Sequence, residues 1–541
     1  MENNRQNWQP FIYGLLISFG LLIGIYLKPI ENGLGIRNKF SQIYQIINEN
    51  YVDTVDVEEL ETKSLNDMFA FLDPHSIYIP ASELKAANEP LTGEFEGIGI
   101  EFNILDDTIM VVAALAGGPS AELGILSGDR ILSADTMNLA GVGITNEKVI
   151  KNLRGKSGTE VKIAIYRPSS KQKINYIIKR GTIPIYSVDA QLMLDKTTAY
   201  IKISRFAATT KDEFETAFNL LNKNNCVKNL ILDLRGNPGG FLDAATDLAD
   251  EFLDDKKLIV YTQGRIKPRE DFVSNNTGVF ETGKLIVLID EGSASASEIV
   301  SGAIQDWDRG LIIGRRSFGK GLVQQPFDLS DGSGIRLTVS KYYTPTGRCI
   351  QKEYKKNGYQ EYENELMNRY QNGELESENS DRIFDTTKYH TRIKGRVVYA
   401  GGGIQPDVKV SIDTSHISTF LTEVISAGIF SKFSFDYLDK NRKKIEQRFA
   451  NETAFEGHFK FDGNLIQQFA GFCIANKIRK PSDAEIVRSS NFIKLQVKAM
   501  IARQLWRDNG YFKVLSKEDK IINRALKAFE NYESLLSNSK K

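Results

Sequence analysis

The sequence predicts a multidomain α/β protein whose helical and β-rich regions are partly segregated along the chain, as in the α+β class. Its 541 residues are more than one hydrophobic core usually accommodates. Strands and helices alternate from residue 200 to about residue 325, which favours a largely parallel sheet. Short β-rich runs fill residues 91–181, and helical spacing of apolar residues returns after residue 413.

The overall charge excludes some classes of partner. Lys plus Arg and Asp plus Glu number 69 each, so no net field recruits nucleic acid. Three cysteines, far apart and odd in number, do not form a disulfide framework. The histidines lack metal-ligand spacing and do not suggest a Ser-His-Asp triad; they are His75, His390, His416 and His458. We therefore expect no metal site.

An uncharged apolar segment covers residues 11–27. Its 17 residues are at the lower edge of the length needed for a spanning helix, and no A-x-A-like cleavage site follows it. We expect an uncleaved single-pass anchor; a cleaved signal or a buried core helix is the alternative. The flanking charges do not favour an outside C-terminus, because Arg5 precedes the segment whereas Lys28, Arg37 and Lys39 follow it.

Two helices are predicted after this segment, and a turn ends the second. Apolar residues recur at helical spacing from Phe40 to Leu72, and Asp73-Pro74-His75-Ser76 then breaks the pattern. We interpret His75 as a local turn residue without a catalytic role.

Three motifs mark the β-rich region. They are G-I-G-I at 97–100, G-G-P-S-A-E-L-G-I-L-S-G-D-R-I-L at 117–132 and L-R-G-K-S-G-T at 153–159. Together they resemble a PDZ domain, which implies that a peptide adds as a strand and that backbone N–H groups capture its terminal carboxylate. The residues implied for this capture are Gly97, Ile98, Gly99 and Ile100. G-I-G-I alone is also compatible with a glycine-rich turn without a ligand.

The candidate chemistry lies between residues 285 and 325. An apolar strand leads to a turn, and a helix begins within S-A-S-A-S, where free N–H groups and the helix dipole favour negative charge near Ser295. A serine hydroxyl needs a base, and Lys320, 25 residues later between two glycines, is the candidate. A lysine serves as a base at pH 7 only if burial lowers its pKa by roughly 3 units. Gln324 can hold the amine through its side-chain oxygen.

Local spacing leaves a second interpretation open for Ser295. Ser295-x-x-Glu298 before an apolar run is also an ordinary capping box. R-G-N-P-G-G at 235–240 follows a predicted strand and can bring backbone N–H groups close to an oxyanion. On its own that loop is a weak signal, because glycines commonly cap turns.

The string G-S-A-S-A-S-E-I-V-S-G-A-I-Q-D followed by G-K-G-L-V-Q resembles the serine–lysine core of the carboxyl-terminal processing peptidases, or tail-specific proteases. The resemblance implies a crotonase-like protease core, with Ser295 as nucleophile, Lys320 as general base and Gln324 orienting it. It also implies an oxyanion hole from the N–H groups of Ala296 and Gly239, with Gly240 as the alternative to Gly239.

The resemblance extends to the rest of the chain. It suggests that Arg154 relays peptide occupancy to the protease, although a solvated turn arginine is the default. It places the catalytic domains in the periplasm, outside the cytoplasmic (inner) membrane. T-P-T-G-R at 344–348 and G-I-Q-P-D at 403–407 are separated by an insert, as in the Bacteroidetes branch of the family, and we expect this insert to be a solvent-facing excursion with some helix.

We therefore expect five regions. They are a cytoplasmic tail and transmembrane anchor at 1–28, a helical region at 29–92, a PDZ domain at 93–182, a serine protease core at 183–412 with its insert at 352–399, and a helical domain at 413–541. The last domain is expected to pack on the core or to mediate self-association into a homo-oligomer.

The predicted function is that of a serine endopeptidase that selects protein substrates by their carboxyl termini, needs no cofactor and processes or degrades envelope proteins. A non-catalytic PDZ scaffold is one alternative, but Ser295, Lys320 and Gln324 all match the family. A crotonase-like acyl-coenzyme A enzyme is another, but such an enzyme needs neither an export segment nor a PDZ domain.

Overall fold

The computed structural model describes residues 12–19, 34–223, 225–275, 277–354, 359–376, 387–461 and 463–537. The chain divides into two compact units, Met1–Leu72 and Asp73–Lys541. The described helices of the first unit are α1 (12–19), α2 (Leu34–Asn50) and α3 (Val57–Ala70). The carboxylate of Asp56 caps α3 by accepting the N–H of Glu59 at 3.0 Å.

The predicted transmembrane anchor is not supported. Only residues 12–19 of the apolar segment fall within the described helix α1, and the remainder lies outside the described residues. Among the helices that the structure describes, none is long and apolar enough to cross a membrane; a span needs about 20 residues. The prediction of a single-pass inner-membrane protein with periplasmic catalytic domains is therefore wrong.

The second unit begins with β1 (Ile77–Ile79) and α4 (Ala81–Thr92), followed by the β-rich region. The elements of that region are β2 (Glu94–Gly97), β3 (Ile100–Leu105), β4 (Thr108–Ala114), α5 (Pro119–Glu122), β5 (Arg130–Ala134), β6 (Met137–Asn138), α6 (Asn146–Leu153), β7 (Glu160–Arg167), β8 (Gln172–Lys179) and β9 (Gly181–Pro184). Their antiparallel sheet has the order β3-β4-β5-β7-β8, with β6 beside β5, and β2 pairs with β9. Strand β3 is thus an edge strand, the position at which a peptide can add.

The elements of the α/β core follow the predicted alternation. They are β10 (Val188–Met193), β11 (Thr198–Ile203), α7 (Thr210–Lys223), β12 (Asn229–Asp233), α8 (Leu242–Asp250), β13 (Leu258–Gln263), β14 (Glu270–Val273), β15 (Lys284–Ile289), α9 (Ala296–Asp306), β16 (Gly310–Gly314), β17 (Leu322–Asp328) and β18 (Gly334–Tyr343), with β21 (Val408–Lys409) after the insert. The central sheet has the order β10-β11-β12-β15-β16-β21, in which only β10 is antiparallel to its neighbour. The predicted, largely parallel core is confirmed.

A second sheet carries the residues that follow the candidate base. Its strand order is β1-β18-β13-β14, and β17 also pairs with β18. Because β1 directly follows the Asp73-Pro74-His75-Ser76 turn and pairs with β18, it places that turn next to the strand that also pairs with β17.

The insert differs from the expected solvent-facing excursion. Its described elements are α10 (Tyr359–Glu363), α11 (Glu365–Gln371), β19 (Lys388–His390) and β20 (Val397–Tyr399). Tyr362, Arg369 and Glu374 are buried, because they contact the loop that precedes Lys320.

The C-terminal region is helical, as predicted. Its helices are α12 (Thr419–Ser426), α13 (Ile429–Arg448), α14 (Glu452–His458), α15 (Leu465–Ala475), α16 (Asp483–Leu515), α17 (Lys520–Glu530) and α18 (Tyr532–Ser537). Helices α12–α16 enclose their own aromatic-rich core, and α16 is kinked at Trp506 and Arg507. Phe435 of this bundle packs against Met110 and Val112 of the β-rich region.

The last two helices complete the α/β core. Ile522, Phe529 and Tyr532 pack against one face of the central sheet. The hydroxyl of Tyr532 lies 3.0 Å from the carbonyl oxygen of Leu285 in β15, the strand that leads to Ser295. One of the two expected roles of this region, packing on the core, is therefore present; self-association stays a prediction.

Candidate active site

The strand β15 and the helix α9 position Ser295. The turn between them is fixed by Ser293, whose hydroxyl accepts the N–H of Asp290 at 3.0 Å and donates to the carbonyl oxygen of Leu234 at 2.8 Å. Ser295 itself has φ +52° and ψ −112°, a region that residues with a side chain rarely adopt. Such strain persists only where the surroundings enforce it, and it is common at functional turns.

Glu298 does more than cap helix α9. Its carboxylate is fully buried, and its Oε2 accepts the N–H groups of Ser295 and Lys320, each at 2.9 Å. Its Oε1 accepts the N–H of Gly319 at 2.7 Å and the hydroxyl of Ser317 at 2.5 Å. The sequence indicated only the capping role; the structure shows that this carboxylate joins the Ser295 turn to the Lys320 loop.

The backbone segments that carry Ser295 and Lys320 are joined by hydrogen bonds to the same residues, and the two side chains are not bonded directly. The Tyr342 hydroxyl lies 3.1 Å from the carbonyl oxygen of Ser295 and 2.7 Å from that of Lys320. The Lys320 amine donates to Gln324 Oε1 at 3.2 Å. Within the residues that the structure describes, no hydrogen bond joins the Ser295 hydroxyl to the Lys320 amine. The structure therefore joins the Ser295 turn to the Lys320 loop through Glu298 and Tyr342, and it joins Lys320 to Gln324 directly.

The surroundings of Lys320 lower the pKa of its amine. Burial lowers the pKa of the amine from the ordinary 10.5, and the nearby guanidinium of Arg336 lowers it further. The carboxylates of Glu298 and Asp73 oppose these two effects. A lowered pKa increases the fraction of lysine that can accept a proton near neutral pH.

A backbone carbonyl fixes the orientation of Gln324. Its side-chain N–H donates to the carbonyl oxygen of His75, so its Oε1 is left to accept from Lys320. The His75 turn is itself held by Asp73, whose carboxylate accepts the N–H groups of His75 at 2.8 Å and Ser76 at 2.9 Å. The sequence analysis did not predict that the His75 carbonyl oxygen orients Gln324, because a main-chain group makes this contact. The D-P-H-S string was the only sequence feature that pointed to this turn.

The imidazole of His75 is neutral. Burial and the nearby Lys320 amine lower its pKa to about 3. Its Nε2 lies 2.7 Å from the hydroxyl of Tyr362 in the insert.

The two glycines around Lys320 are required by close packing. Gly319 has φ +88°, and a Cβ there would lie 2.9 Å from the carbonyl carbon of Gly402. A Cβ on Gly321 would lie 2.9 Å from the amide nitrogen of Gln351. Only glycine allows this approach without displacing the neighbouring backbone.

The R-G-N-P-G-G loop lies against the serine turn. A Cβ on Gly239, whose φ is +99°, would lie 2.8 Å from the Cβ of Ser295 and 2.9 Å from the amide nitrogen of Ala296. The N–H of Gly239 donates to Asn237 Oδ1 at 2.9 Å. By contrast, the N–H groups of Ala296 and Gly240 have no acceptor among the described residues.

The predicted peptide-binding residues lie at the β2–β3 junction. The carbonyl oxygens of Ile98 and Gly99 are engaged within the domain, by the N–H groups of Ser120 and Leu115 respectively, each at 3.0 Å. Gly97 ends β2, and Ile100 begins the edge strand β3.

Arg154 differs from the expected solvated turn arginine. Its guanidinium pairs with Glu89 of α4 and lies 4.8 Å from the ring centroid of Phe95 in β2. These contacts attach it to the segment that leads into the β-rich region.

A cleft of about 600 Å³ opens beside Gln324. Much of its lining is apolar and comes from strands β17 and β18 and from the segment after the R-G-N-P-G-G loop. The apolar lining residues are Phe241, Leu242, Pro268, Val323, Pro326 and Val339, and the charged lining residues are Asp243, Lys267, Arg269 and Glu270. The cleft has the size of a small-ligand or side-chain site.

Comparisons with known proteins agree with this architecture. Residues 197–359 match the model of peptidase family S41, residues 97–178 match a PDZ domain and residues 420–508 match a family of unknown function. The chain is 34% identical over 348 residues to the carboxy-terminal-processing protease of Bartonella bacilliformis, covering 63% of this chain and 79% of that protein. It is also 34% identical over 319 residues to the carboxy-terminal processing protease CtpB of Bacillus subtilis, covering 58% of this chain and 66% of that protein, slightly less than two thirds of its length.

Among solved structures, the photosystem II D1 C-terminal processing protease is similar, with 27% identity, a TM-score of 0.33 and coverage of 58% of this chain and 89% of that one. The extent of the Bartonella match shows that the chain belongs to the carboxy-terminal-processing proteases of peptidase family S41. This membership assigns it to the serine-type peptidases and confirms the predicted fold class, including the PDZ domain. The Bacteroidetes-like branch stays a prediction.

Proposed function

We propose that this chain is an endopeptidase that holds the carboxyl terminus of a protein substrate in its PDZ domain and hydrolyses a peptide bond with a Ser295–Lys320 dyad. The observation that carries the proposal is the setting of Lys320. Its amine is largely buried, has a lowered pKa and is held by Gln324. Glu298 joins its loop to the turn that presents Ser295.

In the first half of the reaction, the Ser295 hydroxyl attacks the scissile carbonyl while neutral Lys320 takes its proton. The resulting oxyanion accepts the Ala296 N–H and a second N–H from the R-G-N-P-G-G loop, each worth about 3–4 kcal/mol. Gly240 offers an unengaged N–H for this purpose. Gly239 serves instead only after Asn237 Oδ1 releases its N–H.

In the second half, charged Lys320 protonates the leaving amine and becomes neutral again. Water then attacks the acyl-enzyme while Lys320 takes a proton from it. Lys320 returns this proton to Ser295 Oγ as the second tetrahedral intermediate collapses, which releases the acid product and restores the hydroxyl and the neutral amine. Gln324 keeps the amine in position throughout. The cycle uses only these side chains, backbone N–H groups and water.

Substrate selection is proposed to begin at the PDZ domain. Strand β3 is an edge strand at which a peptide strand can add, and the loop at Gly97, Ile98 and Gly99 leads into it at Ile100. The apolar cleft beside Gln324 then receives the side chains next to the scissile bond. That the substrates are envelope proteins remains a prediction from the family resemblance.

The dyad is tested by cleavage of an unfolded reporter protein with the full chain. Ser295→Ala and Lys320→Ala are each expected to lower kcat/KM by at least about 10³-fold. Ser490→Ala, at a half-buried position of helix α16, and Lys494→Ala, at an exposed position of the same helix, are matched controls that should retain activity. Full activity of either dyad variant would refute the mechanism.

Tail recognition needs a separate experiment. A reporter whose terminal carboxylate is amidated should show a KM raised about tenfold or more with kcat little changed, since amidation removes the charge that the N–H groups bind. An unchanged KM would refute carboxyl-terminal recognition and leave the dyad intact. Peptide binding without any cleavage would favour the scaffold alternative.

A further inference from the structure

The insert contacts the main chain of the loop that leads to Lys320. The guanidinium of Arg369, in helix α11, donates to the carbonyl oxygens of Arg316 at 2.6 Å and Ser317 at 3.2 Å. Arg369 is 3% exposed, so this contact is shielded from water. Ser317 also donates its hydroxyl to Glu298, the carboxylate that binds the Lys320 N–H.

Charged pairs reinforce the same contact. The side chain of Arg316 pairs with Glu374 at 2.7 Å and with Glu365 at 2.9 Å, and both partners belong to the insert. Arg369 pairs with Glu374 at 3.2 Å. Buried pairs of this kind specify one arrangement, because a displaced partner leaves an uncompensated charge.

A second contact joins the insert to the residue that orients Gln324. The Tyr362 hydroxyl, in helix α10, lies 2.7 Å from Nε2 of His75, whose carbonyl oxygen accepts from Gln324. The Lys352 amine lies 3.9 Å from the ring centroids of both Phe318 and Tyr362. The insert thus contacts both segments that hold the Lys320 amine.

We infer that the insert is a positioning element for the general base, in which Arg369 fixes the loop before Lys320 and Tyr362 fixes the His75 carbonyl that orients Gln324. The inference rests on the proposed dyad function. Neither residue is assigned contact with the substrate; both act through the position of the Lys320 amine. An insert that only faced solvent would not need a buried arginine bonded to two carbonyl groups of the base loop.

The test uses the full chain with Tyr362→Phe, which removes one hydroxyl, and Arg369→Lys, which keeps the charge but not the paired N–H donors. Each variant is expected to lower kcat about tenfold with KM changed less than about twofold, because displacement of a catalytic group by a fraction of an ångström costs rate rather than binding. Tyr370→Phe is the matched control, since Tyr370 lies in the same insert and is 45% exposed.

A second readout follows the lysine itself. Competitive labelling with acetic anhydride across pH, read by mass spectrometry, reports the titration of Lys320 without requiring peptidase activity. We expect this titration to move to higher pH in both variants, because a loosened loop admits water to the amine. The charged or titratable groups that act on this amine stay unchanged in both variants; they are Glu298, Asp73, Arg336 and His75.

The possible results separate the two proposals. If kcat and the Lys320 titration match wild type in both variants, the positioning role is refuted, even where thermal stability falls. If wild-type hydrolysis does not depend on Ser295, the proposed function fails, and the labelling alone decides the role of the insert. An effect of Tyr370→Phe equal to that of Tyr362→Phe would also overturn it.

Discussion

Ser295 and Lys320 donate their backbone N–H groups to the same oxygen atom, Oε2 of Glu298, and both distances are 2.9 Å. The two residues are 25 positions apart in sequence. The buried carboxylate of Glu298 binds both of their N–H groups and so fixes the distance between the two backbone segments. The geometry of the proposed dyad therefore depends on a residue that takes no part in its chemistry.

Glu298→Gln should disrupt this connection. An amide NH₂ cannot accept a hydrogen bond, so at least one buried N–H loses its partner, and we expect the free energy of unfolding to fall by about 2–4 kcal/mol. A shift of the Lys320 loop should lower kcat/KM on the order of 10²-fold. Denaturant unfolding and peptide hydrolysis measure the two effects. Glu518→Gln, at an exposed position, is the control; equal effects of the two changes would contradict this role.

Arg336→Gln should change the pH dependence of activity. Neutral Lys320 is the active form, so kcat/KM is expected to rise with pH through the lowered lysine pKa and then to level off. The Arg336 cation contributes to that lowering, so its removal raises the pKa and moves the rising limb to higher pH. The activity of Arg336→Gln at pH 7 is therefore expected to be lower than that of wild type, and at alkaline pH it is expected to approach the wild-type activity. The control is Lys341→Gln, which removes an exposed cation from the same strand β18 and should leave the rise of kcat/KM with pH unchanged. If the rise in Arg336→Gln stays at the wild-type pH or moves to lower pH, this account is wrong.

Lys320→Met should stabilise the folded chain while it abolishes activity. Because burial lowers the Lys320 pKa below its unfolded value near 10.5, the unfolded state binds more protons between the two values, and wild-type stability rises with pH across that window. Methionine removes the buried amine, so we expect a gain of about 0.5–2 kcal/mol at pH 7 that shrinks toward pH 10. Urea unfolding at several pH values measures it. A pH-independent difference would show that the amine carries no titration penalty.

Gly239→Ala should block the site through contact with the nucleophile. The new methyl group would lie 2.8 Å from the Cβ of Ser295 at a φ of +99°, so we expect kcat/KM to fall at least about 10²-fold. Gly236→Ala is the control from the same loop: its φ is +68°, and its Cβ would meet nothing within 4 Å. That change should cost about 1–2 kcal/mol of unfolding free energy with activity retained. Steady-state kinetics measures kcat/KM and thermal unfolding measures the stability of the two variants. Equal activity of Gly239→Ala and Gly236→Ala would contradict the close approach of Gly239 to Ser295.

The elements of the α/β core follow from local sequence patterns. Residues Lys284–Ile289 form a nearly continuous apolar sequence, which is typical of a central parallel strand because both faces of such a strand are buried. The positions of these strands can be predicted from the local pattern of apolar residues, since each strand must bury its own side chains.

The prediction for the apolar segment near the N-terminus is wrong, and the prediction for the insert does not include its buried contacts. Hydropathy alone favoured a transmembrane anchor, yet no helix in the described ranges is long and apolar enough to cross a membrane. A Glu- and Lys-rich composition favoured a solvent-facing insert, because composition does not reveal that Arg369 finds two carbonyl groups 52 and 53 residues away. Charged residues are buried only when partners are present, and those partners are distant in the sequence.

From the sequence alone, the residues of the proposed chemistry could be predicted, because Ser295, Lys320 and Gln324 lie in strings that resemble the serine–lysine core of the carboxyl-terminal processing peptidases. How these residues are held in place is visible only in the folded chain. The Glu298 carboxylate, the His75 carbonyl and the Tyr362 hydroxyl act from separate segments through hydrogen bonds, and a hydrogen bond depends on distances that sequence spacing does not encode.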